Sequence, residues 1–305
     1  MGILRHHLEI LFLEATKENF IKDKKVLCLG QQAVHFSLVD IYKIAQKHPE
    51  LKLFDLPKNF DSSNKIPTWV GSKHEKNTNV QTIFKLLGAN EVLIADISEY
   101  ENPDLLINLN NPVSKNLSEK FDLIFDCGTL EHIFDVPTAL SSLTSMLKTK
   151  GNIYIAVPSS NSIDHGLYSF SPGFFFDYFL SNGFENRGCY LYEGSPIFYK
   201  KKGRLYKYHR IGNEIPILSS LAIETIVLFH KSKTLSETIK PIQSIYQTDI
   251  LAIESSDSSS RKKFTHIAFN CLELIQNFLP AKIEIMIIKI RNRIGKNNIS
   301  FIKKI

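Results

Sequence analysis

The chain alternates between two hydrophobic patterns from about residue 20 to residue 230. Short runs rich in β-branched and aromatic residues have the composition of buried strands. Between these runs, apolar residues recur at the spacing of one helix face. Such alternation predicts a parallel sheet with crossover helices, the α/β class. The predicted strands are KKVLCLG (24–30), EVLIADIS (91–98), DLLINLN (104–110), FDLIFDCG (121–128), KGNIYIAVP (150–158), ENRGCYLYEG (185–194) and LAIETIVLFHKS (221–232).

Helical spacing is clear in the segments that connect these strands. In residues 32–46, four aliphatic residues recur at intervals that place them on one helix face. The N-terminal residues 1–23 predict a further amphipathic helix, whose apolar face contains Leu4, Leu8 and Leu11. The other predicted helices cover residues 78–88, 135–148 and 170–185.

These elements predict one principal domain, residues 24–232, with an extension on each side. Residues 47–77 are polar and contain three prolines, which is typical of an insertion or loop within that domain. Residues 233–305 contain a Ser-rich linker and then a basic amphipathic C-terminal extension.

Composition narrows the class of protein without indicating a function. Apolar residues make up 43% of the chain and charged residues 22%, as in an ordinary globular protein. The four cysteines lie far apart with no CxxC pair, so neither a disulfide framework nor a metal centre is predicted. A reducing cytoplasm is therefore the expected location. No apolar run reaches the length of a membrane span, about 18 residues.

The net charge of +6 resides in the C-terminal extension, because residues 281–305 contain seven Lys or Arg and a single Glu. This basic segment predicts peripheral contact with an anionic membrane, or else a helix packed on the domain or a frayed end. The run YKKKGRLYKYHR (199–210) interleaves cations and aromatic residues, as single-strand nucleic-acid binders do. It lies in no recognisable nucleic-acid fold, so a solvated hairpin or a clamp for an anionic substrate is favoured, and no nucleic-acid partner is expected.

Polar residues follow the predicted strands at the edge where α/β sheets bind ligands, the carboxyl ends of the strands. The stretch FDLIFDCGTLEHIFD (121–135) is the most informative, because a buried strand ends there in an Asp, a Gly and a Glu-His pair. The candidates are Gly30, Gln31 and Gln32 after the first strand, Asp96 and Ile97 after the second, Asn108, Leu109 and Asn110 after the third, Asp126, Cys127, Gly128, Glu131 and His132 after the fourth, and Asp164 and His165 after the fifth.

In this order, these residues resemble the class I S-adenosylmethionine-dependent methyltransferases. The likeness depends on a strand ending in Gly, a strand ending in Asp, and the runs FDLIFDCGTLEHIFDVPTALSSLTSMLKTKGNIYIAVP and DHGLYSFSPGFFFDYF. It covers about residues 24–230 and looks closest to a bacterial branch often associated with surface-polysaccharide pathways. The resemblance implies a Rossmann-like, doubly wound, mostly parallel seven-stranded sheet with helices on both faces. It also implies S-adenosylmethionine as the cofactor.

The resemblance further implies roles for individual residues. Gly30 would let the backbone turn beneath the amino-acid end of the cofactor, with Gln31 and Gln32 beside it. Asp96 would accept hydrogen bonds from the two ribose hydroxyls, because a carboxylate has lone pairs for both. The other residues carried over to the cofactor site are Ile97, Asn108, Leu109, Asp126, Cys127, Gly128 and Glu131.

Transfer of a methyl group to a hydroxyl requires a base near the acceptor, and histidine suits this role best. His132 and His165 are the candidates, and Asp164 would orient His165 or act in its place. Glu131 and His132 also fit a simpler interpretation, as residues that begin a helix near its positive end. The predicted reaction is O-methylation of a small-molecule or glycan-type acceptor, and the acceptor class comes from the resemblance alone.

The loop LGQQAV departs from the G-x-G-x-G pattern of the family, since two glutamines stand where small residues allow a close backbone approach. This departure keeps open a non-catalytic methyltransferase-like module with a degenerate cofactor loop. An NAD-type oxidoreductase is the other alternative, because a strand, a Gly and a helix followed by a strand-terminal acid also serve NAD. The incomplete G-x-G-x-x-G run and the Glu-His pair count against it.

Overall fold

The computed structural model of the chain describes residues 2–17, 20–34, 36–54, 78–194, 203–210, 219–244, 246 and 299–304. Most of the predicted insertion, part of the 199–210 run and most of the basic extension lie outside these residues, so their predicted roles stay predictions. The helices are α1 (Arg5–Ala15), α2 (Leu38–Ala45), α3 (Val80–Leu86), α4 (Val136–Met146) and α5 (Pro172–Ser181). The strands are β1 (Gly2–Ile3), β2 (Lys25–Leu29), β3 (Ala33–Val34), β4 (Glu91–Asp96), β5 (Leu105–Leu106), β6 (Phe121–Cys127), β7 (Leu147–Ser160), β8 (Phe184–Gly194), β9 (Arg204–Tyr208), β10 (Ala222–Lys231) and β11 (Ile299–Lys304).

The principal sheet has the strand order β11-β9-β8-β10-β7-β6-β2-β4-β5. The strands from β7 to β5 are parallel, whereas β10, β8, β9 and β11 pair antiparallel. The predicted Rossmann-like sheet with helices on both faces is confirmed. The predicted count of seven strands is wrong, because β9 and β11 extend one edge and the described residues form nine. Strand β2 lies between β4 and β6, so a crevice opens at its carboxyl end.

Alternate residues of the central strands face two separate hydrophobic cores. Along β6, Phe125 and Cys127 belong to the core that contains α1, α2 and α3. Ile124 belongs to the core that contains α4 and α5, and so does Phe121, which precedes an irregularity in the pairing of β6 with β7. Because helices cover both faces, polar side chains gather at the carboxyl edge of β2, β4 and β6.

Helix α1 differs from the amphipathic helix that its apolar spacing predicts. Besides its aliphatic residues, it buries four polar ones, which are at most 2% exposed: His6, His7, Glu9 and Glu14. His6 and His7 both contact the carboxylate of Glu224, at the start of β10. The helix is therefore an internal element of the fold.

The predicted helix over 32–46 begins only at Leu38. Ser37 and Asp40 form a capping box that fixes this start. The preceding residues Ala33–Val34 instead pair in parallel with Gly2–Ile3. Val34 and Leu38 are two of the four aliphatic residues whose spacing predicted the helix. At Val34 that spacing was misleading, because the chain forms a short strand there.

Three further limits differ from the predictions. The strand predicted over 104–110 is reduced to Leu105–Leu106, because the chain then turns at Asn108, whose side chain accepts the Asn110 N–H at 3.0 Å. The strand predicted over 150–158 extends in both directions to Leu147–Ser160. In the described part of the chain, no helix has the length and apolarity needed to cross a bilayer.

Candidate functional site

Gly30 forms the floor of the crevice at the carboxyl end of β2. It has a left-handed φ of 72°, which residues with a side chain rarely adopt. Its N–H donates to the Ala95 carbonyl at 2.7 Å, which ties the end of β2 to β4. A Cβ atom on Gly30 would lie 3.7 Å from Asp96 Oδ2 and 3.5 Å from Gln32 Nε2 and Thr129 Oγ1. Asp96 and Thr129 therefore bound the crevice on its two sides.

Asp96 ends β4 with a partly exposed carboxylate. Its Oδ1 accepts a hydrogen bond from the Ser98 N–H at 2.9 Å, which fixes the orientation of the group. Its Oδ2 lies beside Gly30 and accepts no hydrogen bond from the described residues. A fixed carboxylate with one free oxygen at the crevice can accept hydrogen bonds from the hydroxyls of a ligand.

The residues carried over to the adenine side lie in different surroundings. Ile97 is 66% exposed, next to Asp96, and is available to an aromatic ligand. Asn108 is exposed, and its side-chain oxygen is used by the N–H and amide of Asn110. Leu109 is buried in the core that contains α4 and α5, so its side chain acts as a core residue.

The two glutamines of the LGQQAV loop take different positions. Gln31 exchanges two amide hydrogen bonds with Gln81 of α3, at 3.2 and 3.3 Å. Gln32 is buried, and its Nε2 donates to the Leu29 carbonyl, which also accepts the Thr129 hydroxyl at 2.9 Å. Gln32 Oε1 is buried without a hydrogen-bond partner in the described residues. The Gln32 side chain thus lies between the ends of β2 and β6 and leaves one acceptor there unused.

Asp126 holds the turn that follows β6. Its carboxylate accepts the N–H groups of Thr129 at 2.9 Å and Leu130 at 3.1 Å, and the intervening Gly128 has a φ of 100°. Burial raises the pKa of Asp126 to about 6, although these hydrogen bonds act in the opposite direction. Cys127 belongs to the other core, and burial raises the pKa of its thiol. Asp126 therefore shapes the crevice, whereas the Cys127 side chain lies behind it.

The turn places the Glu-His pair beside His165. Glu131 and His132 lie in a 3-10 turn, Leu130–His132, and the prediction that they begin helix α4 is wrong, because that helix starts at Val136 behind the Asp135 cap. Glu131 Oε1 lies 3.4 Å from His165 Nε2 and 3.7 Å from His132 Nε2. The carboxylate is fully buried, whereas both imidazoles are partly exposed. We refer to Glu131, His132 and His165 as the Glu-His-His cluster.

The environment shifts the proton affinity of all three groups. Burial, together with the charge of Asp126, raises the pKa of Glu131 to about 8. Burial also lowers the pKa of both His132 and His165, which favours neutral imidazoles. Asp164 is exposed, with a φ of 59°, and no hydrogen bond joins it to His165 in the described residues. The predicted role of Asp164 in orienting His165 has no contact to support it.

The loop that carries His165 is fastened to the turn that carries Glu131. The N–H groups of Leu167 and Tyr168 donate to the Glu131 carbonyl at 2.8 and 3.2 Å. At Gly166, an added Cβ would lie 2.8 Å from Glu131 Cγ and 2.9 Å from its carbonyl oxygen. A glycine at this position is what allows the two segments to meet.

We expect the substitution Gly166→Ala to lower the free energy of unfolding by about 1–3 kcal/mol, because the new methyl group overpacks the contact with Glu131. Urea unfolding measures the change. Gly173→Ala is the matched control, since its Cβ would meet only Ser171 Oγ, at 3.6 Å. Equal stability of the two variants would show that the 165–168 loop is not held against Glu131.

Sequence reasoning missed two groups of residues at this edge. Thr129, which bonds to the end of β2, stands inside the run quoted for the resemblance, yet its spacing gave no sign of that contact. The second group is a rim of exposed apolar side chains around the cluster. It consists of Phe134, Ile163 and Leu167, together with Tyr168, which the aromatic run 168–179 had already indicated as a residue lining the acceptor pocket. Exposed aromatic and aliphatic residues beside a polar crevice are typical of a surface that receives a ligand.

The fold is that of a Rossmann-like α/β protein, and its polar side chains gather at the carboxyl ends of β2, β4 and β6. No protein-family model matches the sequence, and no curated protein sequence matches it.

Several solved structures have a similar fold. One is the branched-chain polyamine synthase of Thermus thermophilus in complex with N4-aminopropylspermidine and 5'-methylthioadenosine. It is 12% identical, the alignment covers 80% of this chain and 62% of that chain, and the TM-score is 0.38. Another is the 1,6-didemethyltoxoflavin-N1-methyltransferase of Burkholderia thailandensis with bound S-adenosylhomocysteine. It is 12% identical, the alignment covers 75% of this chain and 78% of that chain, and the TM-score is 0.36. The YcgJ protein of Bacillus subtilis has 9% identity over 75% of this chain and all of that chain, and a TM-score of 0.38. At identities this low, the function has to be inferred from the residues of the chain itself.

Proposed function

We propose that the chain is an S-adenosylmethionine-dependent methyltransferase that methylates a hydroxyl group of a small-molecule or glycan-type acceptor. The observation that carries this proposal is the position of Gly30 between Asp96 and Thr129, because Thr129 belongs to the same turn as Glu131 and His132 of the Glu-His-His cluster. A ribose-binding acid and a set of imidazoles thus share one edge of the sheet. Bound S-adenosylmethionine would supply an activated methyl group, so the protein has to align the acceptor and exclude water.

The residues of the crevice fit the two polar ends of this cofactor. At the ribose end, Asp96 Oδ2 is free and lies beside Gly30. At the amino-acid end, the Leu29 carbonyl already accepts two side-chain hydrogen bonds, from Gln32 and Thr129. The unused Gln32 Oε1 is the acceptor that remains there for an ammonium group. The glutamine that breaks the glycine pattern would therefore replace a backbone contact with a side-chain contact.

The acceptor side is assigned to the cluster and to the apolar rim. The Nε2 atoms of His132 and His165 are the bases near this edge, and either can accept the proton that a hydroxyl loses as it is methylated. The rim, formed by Phe134, Ile163, Leu167 and Tyr168, would pack on the apolar face of a sugar or other small acceptor. The glycan class is supported only by the resemblance to the methyltransferase family, and the cytoplasmic location only by the pattern of cysteines in the sequence.

One observation favours the second candidate, a module that has lost the cofactor. Gln32 fills the gap between β2 and β6, and both lone pairs of the Leu29 carbonyl are in use. If this arrangement is rigid, the amino-acid end of a ligand has no room. The same crevice would then bind a nucleoside weakly or not at all.

Calorimetric titration with S-adenosylhomocysteine separates these candidates. We expect the enzyme to bind it with a Kd below about 100 μM, which corresponds to a binding free energy of about −5.5 kcal/mol. The absence of heat and of a thermal shift at millimolar ligand would contradict the proposal. Tight binding only after Gln32→Ala would identify the module, and a fluorescence change with NADH in place of S-adenosylhomocysteine would identify an oxidoreductase.

A further inference from the structure

Glu131 is a buried carboxylate without a hydrogen bond. It has no exposed surface, and neither Oε1 nor Oε2 has a hydrogen-bond partner in the described residues. A buried carboxyl group normally receives hydrogen bonds or binds a cation, because leaving it unpaired costs several kcal/mol in free energy. Glu131 lies instead near two imidazole nitrogens, neither of which forms a hydrogen bond with it in the described residues.

The spacing of these atoms is that of ligands on one metal ion. Glu131 Oε1 lies 3.4 Å from His165 Nε2 and 3.7 Å from His132 Nε2, beyond the usual range of an N–H···O bond. Two ligands bound to zinc at about 2.1 Å in tetrahedral geometry are separated by about 3.4 Å. All three ligand atoms lie within 4.8 Å of one another. The two distances from Glu131 are therefore close to those between ligands of one ion, and the two imidazoles lie near enough to converge on the same ion.

We propose that Glu131, His132 and His165 bind a divalent transition-metal cation. Two imidazoles and one carboxylate are a ligand set that holds such ions and leaves coordination positions open. The carboxylate comes from the buried side and the partly exposed imidazoles from the solvent side, so an ion can enter. The hydrogen bonds from Leu167 and Tyr168 to the Glu131 carbonyl would hold the ligands together.

The second buried group of similar composition has different geometry. His6 and His7 approach Glu224 Oε2 at 2.6 and 3.0 Å, which are hydrogen-bond distances. All three residues are buried, and no imidazole there faces solvent. Glu224 Oε1 has no hydrogen-bond partner in the described residues, but Oε2 is paired with both imidazoles without a cation, whereas neither oxygen of Glu131 is paired.

A metal ion at this position would also take part in the proposed methyl transfer, and this part of the inference rests on the proposed function. A hydroxyl bound to a divalent cation loses its proton more readily than a free hydroxyl. His132 and His165 would then hold the metal, since one Nε2 lone pair cannot serve as both ligand and base, and the proton of the hydroxyl would pass to solvent water at this partly exposed edge. Metal binding itself does not depend on methyl transfer.

The test is titration of the chelator-treated full-length protein with two metal ions. Binding of Co²⁺ is monitored by visible absorption, and binding of Zn²⁺ is measured by calorimetry. We expect one ion per chain, and at least about a 100-fold weaker Kd in His165→Ala, His132→Ala and Glu131→Gln, because each removes one of three ligands. His209→Ala, which changes an exposed histidine outside the cluster, is the control and should bind as the parent does. The half-exposed histidine variants keep the test valid if Glu131→Gln fails to fold.

Three outcomes would overturn the metal site. These are the absence of binding at millimolar metal in folded protein, unchanged affinity in His165→Ala, and loss of binding in Glu224→Gln but not in the cluster variants. S-adenosylhomocysteine titration of the metal-free and metal-loaded protein separates this failure from that of the proposed function. Binding of the nucleoside without metal would remove only the metal site, whereas binding of metal without the nucleoside would remove only the methyltransferase.

Discussion

The substitution Asp96→Ala is expected to weaken S-adenosylhomocysteine binding by about 100-fold, or about 2.7 kcal/mol. The carboxylate is fixed by the Ser98 N–H through Oδ1, and it presents Oδ2 at the crevice beside Gly30. Hydrogen bonds to a charged group contribute about 1.5–3 kcal/mol each, so losing the acceptor of the ribose hydroxyls is a large effect. Calorimetry measures the change in Kd, and methyl transfer should fall with it at subsaturating donor.

Two further substitutions separate a ribose contact from a general effect of charge. Asp96→Asn keeps the shape and one oxygen acceptor, so its loss of affinity should be smaller than that of alanine. Glu99→Gln removes an exposed acid three residues away and should leave the Kd unchanged. Undiminished binding in Asp96→Ala would show that the crevice beside Gly30 is not the ribose site.

The positions of the central strands could be predicted because each is a continuous apolar run. Strands β2, β4 and β6 lie within one or two residues of their predicted limits. The residues after them form the crevice because parallel strands bring their carboxyl ends to one edge. The proximity of Glu131 and His165 followed from this rule, although 34 residues separate them.

Long-range polar contacts could not be predicted in the same way. The spacing of α1 indicates an amphipathic helix, but Glu224, the partner of His6, is 218 residues away. The position of Gln32 depends on Thr129 and Leu29, which belong to different strand ends. A sequence pattern reports the period of an element, whereas these side chains are fixed by the three-dimensional neighbours of the sheet.

The buried polar group behind the crevice joins α1 to the sheet. His6 Nε2 lies 2.6 Å from Glu224 Oε2, and its ring stacks on Tyr192 with centroids 3.5 Å apart. His7 contacts the same oxygen at 3.0 Å, and its Nδ1 lies 3.4 Å from Cys127 Sγ, at the end of β6. Any loosening of α1 therefore disturbs β6, the strand that leads into the turn with Glu131 and His132.

This arrangement predicts that the protein loses stability in mild acid. Burial, together with the neighbouring His7, lowers the pKa of His6 to about 4, against an unfolded value of 6.5. The unfolded chain therefore binds a proton at this residue before the folded chain does, and the free energy of unfolding falls as the pH falls from 6.5 to 4. The loss from His6 is about 3 kcal/mol, at about 1.4 kcal/mol per pH unit. Below pH 4.5 the protonation of Glu224 adds to this loss of stability. Burial raises the pKa of Glu224, but the charges and hydrogen bonds of His7 and His6 outweigh burial and hold this pKa below its ordinary value.

Urea unfolding between pH 7.5 and 4.5 measures this loss, and His6→Phe isolates its cause. Phenylalanine retains a flat ring for stacking on Tyr192 but binds no proton, so the variant should lose about 3 kcal/mol less than the parent over this range. His209→Phe, at an exposed histidine, should lose stability as the parent does. Parallel curves for the parent and His6→Phe would show that the imidazole of His6 takes up its proton without opening the contact between α1 and β10. In that case the acid sensitivity of the fold originates elsewhere.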